Sequence, residues 1–431
     1  MQQYYDVIIL GESLASRIAA VLLARGGCRV LTLREAEPSF PAWLWPSLHL
    51  ERLLEKLDGR ACFTPARPFQ VLTGESRLDF NGPNTLEEEL RRELGGAFSQ
   101  AFEALQRLQL LGTHLEDVLW ESGGPPLLGL SSRLRFAGKR LRRQLPLRQL
   151  QRPFQVDLET LEPGPGRRVL ETLFSGLALR PAASLSLAEV ALLWNGAGKN
   201  IGISRSALDE LLRRRYTQFH GEEGDLSHLQ SMNARDKGTP VATLKDGTEW
   251  GARYCLIGSS SCSAPLPKAL DSQANPPSAP VPLQFVTSSL GDKVSPLLAP
   301  FVLLEGEWPL RIRFVPENHD MVAIIDCFAE DGPAAEIEKS LQVRLRELLP
   351  FVDFNLERAS HETHSAETPS GCQPPFGQVF PGAHTSLKAK GNFFCCQGTR
   401  VFPSLGATGE VLVGTTIGRH LLKQLKKPVE I

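Results

Sequence analysis

The residues with the clearest chemical meaning lie in two short stretches at opposite ends of a 431-residue chain. Near the start, Gly11-Glu12-Ser13-Leu14-Ala15-Ser16 follows the apolar run Tyr5–Leu10 and opens a helical pattern reaching about Arg25. A second apolar run, Arg29–Leu33, then ends at Arg34. Near the far end, the run Asn392–Cys396 leads to Gln397-Gly398-Thr399-Arg400. A loop carrying Phe402, Pro403, Gly406 and Gly409 follows, and a helical pattern continues to about Leu422. A strand, a glycine-bearing turn and a helix start together suit a phosphate, because the helix end offers unpaired N–H groups and a positive dipole.

Strand, turn, helix and strand over residues 5–33 form the first βαβ unit of a Rossmann-type domain, whose fingerprint reads G-x-G-x-x-G with an acid ending the second strand. Gly11 keeps the glycine that makes the sharp turn. Ser13 stands where bare backbone should approach a pyrophosphate, and Ser16 where a glycine lets helix and strand pack closely. Arg34 replaces the acid that accepts from a ribose, and a guanidinium offers no acceptor. What survives is a helix N-terminus at Leu14 and Ala15, with Ser13 as a good N-cap.

Composition sets the class. Hydrophobic residues make up 42% of the chain and charged residues 22%, ordinary for a globular protein of two or three domains. A net charge of −1 argues against nucleic acid as the main partner. No apolar run approaches the length of a membrane span, and the chain enters a strand without a signal peptide, so a cytoplasmic protein is expected. The eight cysteines form no C-x-x-C pair and the nine histidines no H-x-x-x-H spacing. Buried reduced thiols, solvated histidines such as His361 and His364, and no metal are expected.

Between the two ends, alternation over Gln70–Phe80 predicts a hairpin. Leucines and phenylalanines at three- and four-residue spacing predict a helix from about Asn84 to Leu119, capped by Asn84 or Thr85. Further helices are expected over Pro163–Leu179, Leu185–Trp194 and Ser204–Arg215. A hairpin turning at Lys245-Asp246-Gly247 ends in the buried run Tyr254–Ile257, which stops at Gly258. Ser263–Pro282 reads as a linker or excursion, Phe301–Phe328 as strands and Ala334–Leu349 as a helix. Lys199 lies in a glycine-rich stretch that lacks the G-x-x-x-x-G-K-[ST] pattern of a phosphate loop.

Arg133–Arg152 is compositionally distinct. It carries eight basic residues, and no acid occurs between Ser122 and Val156. Two readings stand: a solvated basic helix face, or a patch for an anionic membrane surface or protein partner.

Taken together, these pieces resemble the flavoprotein superfamily of amine oxidases and phytoene desaturases, in order and over nearly the whole chain. The matching features are the N-terminal βαβ, a helical insertion, the stretch Gly198, Gly202, Leu208 and Leu212, the strand before Gly258, and the tail carrying Gly398, Phe402, Pro403, Gly406 and Gly409. The resemblance implies an α/β fold: a Rossmann-like FAD/NAD(P)-binding domain with a second α+β substrate or cap domain. The first is expected from segments 1–60, 190–262 and 385–431, the second from 61–189 and 263–384.

The resemblance also implies FAD, with its pyrophosphate on the first helix and its isoalloxazine near the C-terminal loop and helix. The candidate cofactor-binding residues are Gly11, Ser13, Leu14, Ala15, Ser16, Arg34, Gly258, Gly398, Thr399, Gly406 and Gly409. No catalytic residue is identifiable. Ser13, Ser16, Arg34 and Thr399, the last in place of an acid, each weaken an expected contact. GDP-dissociation inhibitors and Rab escort proteins, in the same superfamily, keep the fold without flavin and bind prenylated partners.

Three readings follow. One is a flavoprotein fold with a degenerate site that binds FAD weakly or not at all and acts on a protein partner or apolar ligand. The second is an active FAD-dependent oxidoreductase taking hydride from an apolar or amine substrate. The third, less favoured, is NADP, with Arg34 meeting a 2′-phosphate.

Overall fold

The computed structural model describes residues 3–34, 43–128, 130–199, 201–235, 238–258, 283–288, 290, 294–295, 297–317, 320–327, 334–350, 355–358, 387, 391–396, 398–402 and 404–429. Among them the strands are β1 (Gln3–Leu10), β2 (Val30–Arg34), β3 (Trp43–Leu44), β4 (Phe63–Pro65), β5 (Phe69–Leu72), β6 (Arg77–Phe80), β7 (Ile201–Ser204), β8 (Glu222–Asp225), β9 (Leu229–Arg235), β10 (Thr239–Leu244), β11 (Glu249–Ile257), β12 (Leu283–Thr287), β13 (Phe301–Leu304), β14 (Leu310–Glu317), β15 (Asp320–Cys327), β16 (Leu356–Arg358) and β17 (Phe393–Cys395). The helices are α1 (Leu14–Arg25), α2 (Leu48–Lys56), α3 (Pro83–Leu94), α4 (Phe98–Ser122), α5 (Leu130–Arg142), α6 (Leu147–Leu150), α7 (Gln155–Leu158), α8 (Pro165–Ala178), α9 (Leu187–Ala197), α10 (Arg205–Gln218), α11 (Ala334–Leu348), α12 (Gly398–Val401) and α13 (Gly406–Gln424).

One sheet runs β8-β2-β1-β11-β10-β9, with β17 also on β11. β1 lies parallel to both β2 and β11, β2 parallel to β8, and β11 parallel to β17. β1 is buried over its C-terminal half, as a central parallel strand covered on both faces should be. α1 and α13 cover one face, with Val7, Ile9, Ile18, Leu22, Val413 and Ile417 in one apolar cluster. Their crossing is tight, because a β-carbon on Gly414 would lie 2.5 Å from the Ala15 carbonyl oxygen.

A second, mostly antiparallel sheet runs β16-β12-β15-β14-β13-β5-β6, and a small third sheet is ordered β3-β7-β4. α3, α4, α8 and α9 pack a separate apolar cluster against the β5–β6 edge.

The hairpins at β5–β6 and β10–β11 and the helix α11 lie where the patterning predicts them. The long helix expected from Asn84 to Leu119 is instead two, α3 and α4. The pair Gly95-Gly96 breaks it, with Gly95 at φ +52°, where a glycine carries no Cβ penalty. Its start is also different: Gly82 is the N-cap and Pro83 the first helical residue, ahead of Asn84 and Thr85. The strand expected over Asn392–Cys396 spans Phe393–Cys395. Six cysteines are described, all buried, and no disulfide links them. Ser263–Pro282, His361 and His364 lie outside the described residues. No described helix is long and apolar enough to cross a membrane.

Candidate functional site

β1 ends at Leu10 and the chain turns at Gly11, whose φ of +89° explains the glycine. Ser13 caps α1: its Oγ accepts from the Ser16 amide at 3.2 Å and donates to the Cys396 carbonyl at 2.9 Å. It also lies 2.7 Å from Ser16 Oγ. The Ser13 amide donates to the Gly258 carbonyl at 3.2 Å. The turn is therefore tied to the end of β11 through the Ser13 amide and to the end of β17 through the Ser13 side chain.

The first turn of α1 has a further partner. The Ala15 amide donates to Glu410 Oε2 at 3.0 Å, and Glu410, on α13, is only 4% exposed. A buried carboxylate thus sits on the positive end of α1, the arrangement a helix dipole favours for an anion. It is held there by glycines of the C-terminal motif. A β-carbon on Gly398 would lie 2.2 Å from the Glu410 amide nitrogen, and one on Gly409 would lie 2.9 Å from Phe402 Cβ. These glycines let the chain approach itself. Gly258 behaves alike, since its β-carbon would meet Ser16 Oγ at 2.0 Å. Leu14 is buried behind the turn. The Thr399 side chain lies outside the described residues.

Arg34 ends β2 and pairs with Glu12 at 2.7 Å and Glu223 at 2.6 Å. Glu12 also pairs with Arg17 at 2.9 Å, Arg17 with Asp209 at 3.2 Å, and Asp209 with Arg205 at 2.9 Å. Three guanidiniums and three carboxylates thus form a chain of pairs from the turn to α10. Charge has been exchanged between strand and turn: the base ends β2, and the acid sits beside Gly11.

The N-terminus of α13 is different. No side chain caps it, Gly406 has φ +48°, and nothing lies within 4 Å of where a Gly406 β-carbon would be. Gly406, Ala407 and Thr408 line a cavity of about 240 Å³ that also reaches β3, β13 and β14. Its walls are apolar and aromatic: Trp43, Trp45, Phe301 and Phe314. Arg67, Arg311 and Arg313 are its cations.

Arg311 Nε and Arg313 Nη2 meet the fully buried Asp326 at 2.8 and 3.1 Å, and Gln284 Nε2 donates to the same carboxylate at 2.6 Å. Burial pushes the Asp326 carboxyl up, but the Arg313 and Arg311 charges outweigh it and hold the group below the usual range. Arg313 Nε and Nη1 are buried with no hydrogen-bond partner. No sequence signal marked this cluster beyond the alternating Arg311 and Arg313 on one strand face.

Another buried polar group joins α2, α4 and α9. Glu116 Oε2 accepts from the Leu48 amide at 2.7 Å and from Asn195 Nδ2 at 2.8 Å, and burial pushes its carboxyl up to about 7. His49, fully buried against Trp120, is pushed down to about 3, first by burial and then by Arg419 and Arg52. Neither lines the cavity. No group of three metal-ligating side chains occurs among the described residues.

The basic segment is only partly a free face. Lys139 and Arg143 turn inward to Glu121 at 3.2 and 2.7 Å, and Arg152 pairs with Asp157 at 2.5 Å. The acids come from elements on either side of the segment, which the acid-free stretch does not reveal.

No family model and no curated protein matches the sequence. Solved structures do match in shape. Cyclohexylamine oxidase from Brevibacterium oxydans IH-35A superposes with a TM-score of 0.59 at 13% identity, covering 98% of this chain and 99% of that one. A putrescine oxidase variant gives 0.61 at 12% identity, over 98% and 100%. Rab GDI from Plasmodium falciparum gives 0.54 at 12% identity, over 96% and 97%. At such identities the likeness is one of fold, and along its length this chain has the fold of the amine oxidase-type flavoproteins.

Proposed function

We propose that this protein uses an amine oxidase-type fold as a binding scaffold, holding FAD weakly or not at all and acting on an apolar ligand or a protein partner. The observation that carries this is the Glu410 carboxylate on the Ala15 amide. A pyrophosphate placed on that helix end meets the Ser13 side chain and finds the Ala15 donor already taken by Glu410. Arg34 adds to the case: it offers no acceptor to a ribose, and its pairs with Glu12 and Glu223 take up donors that a 2′-phosphate would need. The same pairs count against NADP. The likeness to Rab GDI is in keeping with a use of this fold that is not an oxidase's.

The alternative, an active FAD-dependent oxidoreductase, is supported by the likeness to two amine oxidases and by an apolar cavity beside the α13 N-terminus. In that case the flavin supplies hydride chemistry and the protein orients the substrate. One measurement separates the two: the visible absorbance of the protein as purified, and again after incubation with FAD and desalting. The scaffold reading expects no flavin band in either sample. Stoichiometric FAD overturns it in favour of the oxidoreductase.

A further inference from the structure

The cavity between α13 and β14 has a charge pattern that selects among apolar ligands. Two guanidiniums, Arg311 and Arg313, share one carboxylate, so the buried cluster carries an excess positive charge. Two Arg313 donors, Nε and Nη1, are buried and unmatched, which costs free energy unless an acceptor arrives. The uncapped first turn of α13 adds a positive dipole end on the cavity wall. Arg67, exposed and without an ion pair among the described residues, stands at the same cavity. The remaining walls are aromatic and aliphatic. Asp326 is already engaged by three donors, so no free carboxylate among the lining residues awaits an ammonium.

Resting on the scaffold reading above, we infer that this cavity binds an apolar molecule through an anionic head, a carboxylate or phosphate set against Arg313 and the α13 N-terminus. An amine of the kind oxidised by proteins of similar fold is excluded by like charge.

The test is titration calorimetry on protein whose flavin content has been measured, with dodecanoate, dodecanol and dodecylammonium as probes. Dodecanoate should bind at least about tenfold more tightly than dodecanol, the ratio expected for one charge-assisted hydrogen bond. Dodecylammonium should not bind measurably. Arg313→Gln should remove most of the preference. Arg67→Gln, on an exposed side chain, should reduce it without risk to folding, and Trp45→Phe should diminish any fluorescence change on binding. Equal binding of dodecanoate and dodecanol, tighter binding of the ammonium, or no binding of any probe overturns the inference. Flavin in the purified protein overturns the scaffold reading itself, so the two failures are distinguishable.

A separate surface carries a second inference. On α5, Leu130, Leu134 and Leu141 are 71%, 64% and 67% exposed, while Phe136 on the opposite side is buried. Spacings of four and seven place the three leucines on one stripe. Arg133 and Arg140 flank it on one side, Arg135 and Arg142 on the other, and none of these four forms an ion pair among the described residues. The geometry points to α5 lying in the plane of an anionic lipid surface, leucines toward the acyl chains and arginines at the headgroups.

Vesicle co-sedimentation tests it. Binding should appear with phosphatidylserine-containing vesicles, fall on raising salt from about 0.05 to about 0.5 M, and be absent with phosphatidylcholine alone. Leu134→Ser with Leu141→Ser should weaken it severalfold without loss of fold, since both side chains are exposed. No binding, equal binding to neutral vesicles, or no response to the leucine changes overturns it.

Discussion

Two helix N-termini in this molecule are marked by glycines and end in opposite states. α1 follows β1 and the turn at Gly11, and α13 follows β17 by way of the short helix α12 and opens at Gly406. At α1 the first-turn amide of Ala15 is held by Glu410, Ser13 caps the turn, and Arg34 is bound by Glu12 and Glu223. At α13 no side chain caps the helix, and its first residues face a cavity with unmatched Arg313 donors. A glycine pattern specifies a backbone path. Whether the positive helix end stays available depends on charges contributed from elsewhere in the fold.

The largest effect should come from the charge that balances the open side. Asp326→Asn leaves Arg311 and Arg313 buried without a carboxylate and should cost about 3–5 kcal/mol in chemical denaturation. If the cavity takes an anion, dodecanoate should restore more stability to this variant than it adds to the parent protein. Next comes the closed side. Glu410→Ala should cost about 1.5–3 kcal/mol, the range for a lost hydrogen bond to a charged group. An unchanged unfolding midpoint would erase the distinction between the two helix ends. Arg34→Gln should cost less, about 1 kcal/mol, because the side chain is partly exposed and Glu12 keeps Arg17.

Regaining flavin is a sharper test of the closed side. Changing Ser13 and Ser16 to glycine should yield no flavin uptake while Glu410 remains, and Glu410→Ala should be required in addition; absorbance after incubation with FAD decides. Adding Arg34→Glu should work against the fold, because the new acid faces Glu12 and Glu223.

The smallest shift in midpoint is expected at Glu116, when measured near pH 5, where the folded carboxyl is already protonated. Its pKa is raised from 4.5 to about 7, so the folded state holds a proton that the unfolded state has released. Stability should therefore fall as pH rises between those values, and Glu116→Gln should flatten that slope in pH-dependent urea denaturation. His49, lowered from 6.5 to about 3, acts in the other direction. Its contribution is present above 6.5 and is lost as pH falls toward 3.

Much of this architecture is legible in the chain itself. The β1–α1–β2 unit follows from two apolar runs around a helical pattern, and Gly11 from the turn it must make. The tail follows from its strand and spaced glycines. The partners are not legible. Glu410 reads as one more helix residue until the crossing of α1 and α13 brings it to Ala15, 395 positions away. Glu12 reads as a variable position until Arg34 and Arg17 converge on it. The break at Gly95 was overridden in the pattern by leucine and phenylalanine spacing that continues in phase across it. The inward turn of Lys139 and Arg143 depends on acids of α4 that precede the basic segment.

The crossing of α1 and α13 also bears on how the protein is made. Ala15, Ala19 and Leu22 are closed over by Gly414 and Gly418 of a helix that leaves the ribosome only after the long stretch of chain between the two helices has been synthesised. Until then the part of α1 that meets this helix has no native cover, and the sheet lacks β17 beside β11. Pairings of such long sequence separation fold slowly and leave intermediates open to aggregation. A chain cut before Gly406 should accordingly behave as a chaperone client or be found in the insoluble fraction.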